Sequence, residues 1–110
     1  MIIAMAFVLL PRLHAASAHI PVITIHAMRY RFTPSEINLK QGETVELIFI
    51  ADDVPHAITV TGLGLDLELP KHKAQKVILT PSKIGDFAGG CSRYCGNGHD
   101  HMTFVVHVQP

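Results

Sequence analysis

Twelve residues near the C-terminal end concentrate the chemistry of this chain: Cys91-Ser92-Arg93-Tyr94-Cys95-Gly96-Asn97-Gly98-His99-Asp100-His101-Met102. The pattern is C-x3-C-x3-H-x2-M. Thiolate, imidazole and thioether are soft to borderline donors, and together they select copper over magnesium, calcium or manganese. Three tight spacings let one loop offer four donors to one site. Its glycines let the backbone wrap closely around an ion. Taken alone, the two cysteines could form a disulfide in an exported protein. A lone histidine is ordinarily surface or satisfied core, and a lone methionine core filler. A disulfide does not account for His99 and Met102 at these offsets.

A loop site of this kind needs a donor from elsewhere in the fold. His56 is the candidate, in Asp52-Asp53-Val54-Pro55-His56-Ala57, where one predicted strand stops and the next begins. The other histidines carry no motif. His26, His72 and His107 fall on predicted strands or turns, and His19 is near the start of the mature chain. His101 lies between His99 and Met102 and is an alternative donor to the same site.

The elements that must position these residues are short strands. Pro21–Met28 holds a β-branched run, and Phe32–Ser35 breaks it. Glu36–Leu39 extends again. Thr44–Ile50 alternates most clearly, with Val45, Leu47 and Phe49 on one face. Ala57–Thr61, Leu65–Leu69, Gln75–Thr80, Asp86 onward into Cys91, and Thr103–Val108 complete the set. No segment sustains a 3.6-residue period. Seven or eight short strands with regular turn signals predict an all-β, Greek-key β-sandwich in a single domain.

Met1–Leu10 is almost wholly apolar and leads into Ala15-Ala16-Ser17-Ala18. This is the pattern of a secretory signal segment over 1–18, with cleavage predicted after Ala18. The run is shorter than the roughly 20 apolar residues a bilayer span requires. The domain is then 19–110, exported to a periplasmic or other extracytoplasmic space, with at most peripheral membrane association through the N-terminal segment. Lys+Arg and Asp+Glu both total 9 over 110 residues. There is no basic excess to neutralise phosphates, which excludes a nucleic-acid binder working through bulk charge. Beyond Arg12, eight basic residues face nine acidic ones, so the mature charge is near −1.

At the copper-type loop the chain resembles the cupredoxins, and within them the CuA domain of cytochrome c oxidase subunit II. The resemblance spans roughly Arg31 to Val108. It rests on Asp53-Val54-Pro55-His56, matching D-V-x-H, and on Cys91 to Met102, matching C-S-x-x-C-G-x-G-H-x-x-M at every marked position. It implies two copper ions bridged by the Cys91 and Cys95 thiolates. His56 and His99 would each bind one copper, and Met102 would be a weak ligand to one of them. The backbone carbonyl of Arg93 would complete the set, at a position where the family usually has glutamate. The implied role is outer-sphere electron transfer with a redox partner protein, such as a c-type cytochrome or a haem-copper oxidase. The chain has no Trp, and its near-neutral charge supplies no carboxylate excess of the kind that attracts a basic cytochrome.

Two other readings use the same residues. His56, Cys95, His99 and Met102 alone form a mononuclear copper set, leaving Cys91 free. A copper carrier would use the same donors if they were exposed and exchangeable. Nothing in the chain supports catalysis on its own. There is no Ser/His/Asp set, and Gly62-Leu63-Gly64 is not followed by the helix a phosphate loop needs. An electron-transfer subunit of a larger oxidoreductase is the enzymatic context the residues allow.

Overall fold

A computed structural model describes residues 19–110, so the leader expected at 1–18 lies outside the described residues. Nine strands follow one another: β1 (Val22–Met28), β2 (Arg31–Thr33), β3 (Glu36–Lys40), β4 (Val45–Ala51), β5 (His56–Val60), β6 (Leu65–Leu69), β7 (Gln75–Leu79), β8 (Gly85–Cys91) and β9 (Thr103–Gln109). Single 3-10 turns occupy Thr61–Leu63 and His99–His101. The strands form two sheets, ordered β2-β1-β4-β7 and β3-β9-β8-β5-β6. The pairs β1·β4 and β3·β9 are parallel, and the other pairs are antiparallel. This is the all-β sandwich that the strand spacing predicts.

Period-2 patterning sets which face is inside. In β4, Val45, Leu47, Phe49 and Ala51 are buried and the residues between them are partly exposed. β9 does the same from the other sheet with Phe104, Val106 and Val108. The two faces meet around Phe32, Phe49 and Phe104. Phe104 has its ring centroid 5.7 Å from Phe32 and 6.0 Å from Phe49, in tilted and edge-on contacts. Such aromatic contacts add about 0.5–1.5 kcal/mol each beyond the area they bury.

One element departs from the sequence reading. Phe32 and Thr33 belong to β2, which pairs back onto β1 with Met28 opposite Arg31. Three residues are too few to show an alternation, and Pro34 directly follows. Burial of Phe32 in the core, not local propensity, extends this piece.

Strand directions gather the chemistry at one pole. β1, β4, β6 and β8 end there, while β5, β7 and β9 begin there. Bonds between the links confirm the convergence. The Arg29 backbone N–H donates to Asp53, Arg29 Nε donates to the Cys95 carbonyl, and His72 Nε2 lies 2.9 Å from the Asp52 carbonyl oxygen.

Candidate metal centre

His56 opens β5 and is fully buried. It packs there because β5 sits inside the five-stranded sheet, between β6 and β8. β8 pairs with β5 through Ile58 opposite Cys91 and Thr59 opposite Gly90. That register carries Cys91 to the sheet's end beside His56, with Nδ1 3.8 Å from the Cys91 sulfur. The chain then leaves the sheet, and the loop after β8 returns through the 3-10 turn to β9. Its closing bonds are Cys91 N–H to the Met102 carbonyl and Met102 N–H to the His99 carbonyl.

Inside this loop the donors line up. Cys91 and Cys95 are both free thiols with sulfurs 4.0 Å apart. The Cys91 thiol donates to the Arg93 carbonyl at 3.1 Å. The Cys95 sulfur has His99 Nδ1 at 3.9 Å and the Met102 sulfur at 3.5 Å. His56, Cys91 and Cys95 offer atoms that all lie within 4.8 Å of one another. All six residues singled out in the sequence therefore meet at one place. His101 does not join them: it is exposed, and among the described residues its ring makes no hydrogen bond.

The donor set fits a metal. Bonds of about 2.3 Å to thiolate and about 2.0 Å to imidazole allow donors sharing one ion to stand up to about 4.6 Å apart. Each neighbouring pair above falls inside that limit. The electrostatics agree. Burial pushes the Cys95 thiol above its ordinary pKa, and the charge of Cys91 beside it pushes the same way, while the Arg29 guanidinium opposes both. A nearby cation, which a metal supplies, favours ionising the buried Cys95 sulfur.

Three further residues support the donors. The Asp53 carboxylate accepts from His56 Nε2 at 2.9 Å, so that nitrogen holds the ring proton and Nδ1 keeps its lone pair toward Cys91. Asp53 is itself held by backbone N–H groups of Arg29 and Val54. Burial acts against its charged form. The hydrogen bonds from Arg29, His56 and Val54 outweigh it and lower the carboxyl to about 2. Arg29 Nε donates to the Cys95 carbonyl at 2.8 Å, pinning the loop across a gap of 66 residues. Tyr30 packs closely against the loop at Gly96 and Gly98. A Cβ at either Gly96 or Gly98 would overlap its ring, so both positions demand the absence of a side chain. Asp53 was within reach of the sequence, three residues before His56 in the quoted motif. The Arg29 and Tyr30 contacts leave no spacing signal, because they are long-range.

Comparison with known proteins places this geometry. The chain matches the family described as "Cupredoxin-like domain" over residues 1–106. It is similar to cytochrome c oxidase subunit 2 of Branchiostoma floridae, 34% identical over 76 residues, covering 69% of this chain and 33% of that protein. It is 28% identical over 86 residues to cytochrome c oxidase subunit 2 of Thermus thermophilus, covering 76% of this chain and 64% of that protein. The chain thus spans about a third of the length of the Branchiostoma relative. Among solved structures, the periplasmic domain of subunit II of cytochrome oxidase (CoxB) of Bradyrhizobium japonicum superposes with a TM-score of 0.74 at 16% identity, over 81% of this chain and 83% of that one.

Proposed function

The chain belongs to the cupredoxin-like family, and from that premise we propose that it is an exported electron-transfer domain whose His56, Cys91, Cys95, His99 and Met102, with the Arg93 carbonyl, hold two copper ions. The arrangement of the histidines carries the two-ion reading. His56 Nδ1 approaches Cys91 at 3.8 Å, and His99 Nδ1 approaches Cys95 at 3.9 Å, so each sulfur has its own imidazole. A single ion held by His56, Cys95, His99 and Met102 would leave the Cys91 thiol, 3.8 Å from His56 and 4.0 Å from Cys95, without a purpose. Bound copper supplies one-electron redox chemistry.

The chain's residues supply rigidity and exclusion of water. His56, Cys95 and Met102 are 0%, 5% and 2% exposed. The Asp53 carboxylate and the Arg29 guanidinium fix the imidazole and the loop backbone. Donors held in place before and after a charge change need little reorganisation, which favours electron transfer. A carrier needs exposed, exchangeable donors; here His56, Cys95 and Met102 are buried, while Cys91 and His99 are half-buried. Relatives named as oxidase subunits support a place beside a haem-copper oxidase, and the periplasmic CoxB likeness supports an extracytoplasmic setting under a cleaved 1–18 leader.

Metal analysis with electron paramagnetic resonance on copper-loaded protein tests this. Two coppers per chain and a spectrum of one electron shared equally by two nuclei are expected. One copper per chain would sink the two-ion reading. Cys91→Ser should change both colour and stoichiometry; an unchanged spectrum would favour the mononuclear set.

A further inference from the structure

Beside the donor loop the same pole carries a groove of about 330 Å³, walled by Arg29, Arg93, Tyr94, Val54 and Pro55 and floored by Cys95. No carboxylate lines it. Asp53 is turned to His56 and to the backbone N–H groups of Arg29 and Val54. The nearest acid to Arg93 is Glu68, 3.5 Å away, and both side chains are more than half exposed. Such a pair contributes little and yields readily to a competitor. Arg29 spends one N–H on the Cys95 carbonyl and, among the described residues, forms no ion pair. Two arginines therefore line one concavity of side-chain size.

A guanidinium matches a carboxylate in plane and spacing, and the pair binds bidentately. Tyr94 stands on the rim at 72% exposed. Exposed Tyr beside Arg is the composition that anchors protein interfaces. The chain is neutral overall, so the local sign of this groove decides what it attracts. We propose that the groove docks a redox partner through an acidic segment, with a carboxylate seated between Arg29 and Arg93 and Tyr94 as the apolar anchor. This rests on the electron-transfer reading above, because a partner so seated lies against Cys95.

The experiment titrates reduced, copper-loaded protein with a glutamate-rich peptide and a lysine-rich peptide of equal length, read by backbone amide NMR. The glutamate peptide should bind, weaken as salt rises, and shift Arg93, Tyr94 and Gly96; the lysine peptide should not bind. Arg93→Glu should cost at least about 10-fold in affinity, and Arg93→Lys should keep most of it. Undiminished binding to Arg93→Glu overturns the proposal. So does a footprint centred on Lys71–Lys73, or stronger binding to phosphatidylglycerol vesicles than to the peptide. Copper content and absorbance of the same samples separate the two claims. Peptide binding without copper uptake removes the electron-transfer reading and leaves the carboxylate site. Copper uptake without peptide selectivity removes the docking site alone.

Discussion

At the scale of single residues, Asp53 is the pivot of the site. Its carboxylate decides which imidazole nitrogen of His56 is free, and two backbone N–H groups decide where the carboxylate sits. Asp53→Asn should lower copper affinity by about 10–100-fold, measured by competition with a chelator. The acid limb of stability follows from the same contacts. A carboxyl held at about 2 against an ordinary 3.8 contributes stability that is present above the ordinary value and lost as pH falls through about 2. Urea midpoints of the metal-free protein between those values should therefore slope less in Asp53→Asn than in the parent. Gly98 gives a second residue-scale outcome. Gly98→Ala would collide with the Tyr30 ring and displace the loop, so copper spectra should broaden or shift, while the same change at exposed Gly64 has space but meets a backbone φ of 66°.

At the scale of elements, the question is what keeps β8 aligned. Only two register pairs join it to β5, and they are the ones that bring Cys91 to His56. Gly89 lies just before them. A Cβ there would overlap the Thr59 carbonyl, which is backbone and has no room to yield. Gly89→Ala should cost about 1–3 kcal/mol in denaturant unfolding and degrade the copper site with it. On the outer face, His107 of β9 joins Asp86 of β8 at 2.6 Å and Glu36 of β3 at 3.2 Å. The bond to Asp86 first, and that to Glu36 next, raise its pKa above 6.5. Its contribution is fully present below the ordinary value and is lost as pH rises through the raised one. His107→Gln should flatten this slope in unfolding measurements near neutral pH. Sequence patterning showed β4 because Val45, Leu47 and Phe49 alternate over a full strand. It could not show β2, whose three residues are held by Phe32 reaching the core, nor the His107 contacts, whose partners lie 21 and 71 residues away.

At the scale of the whole molecule, a bound metal and the fold would support each other. The donors come from β5, the end of β8 and the loop before β9, so an ion that binds only the folded chain stabilises the joining of these pieces. Copper at 100 times its dissociation constant should add about 2.7 kcal/mol. For a domain of this size that is a rise in Tm of about 10–20 °C, measurable by scanning calorimetry with and without a chelator. The donor motif was legible because a loop packs its ligands within twelve residues. The pole that receives it was legible only in part, since His56 stood out beside its motif while Arg29 and Tyr30 did not. β9, finally, is the last strand among the described residues, and it pairs with both β3 and β8 inside its sheet. That sheet closes only when the seven residues of β9 join β3 and β8. Pairing across such sequence distances makes assembly late and slow. The loop that carries Cys95, His99 and Met102 is strung between β8 and β9, so this long-range pairing also fixes the two ends of the candidate site.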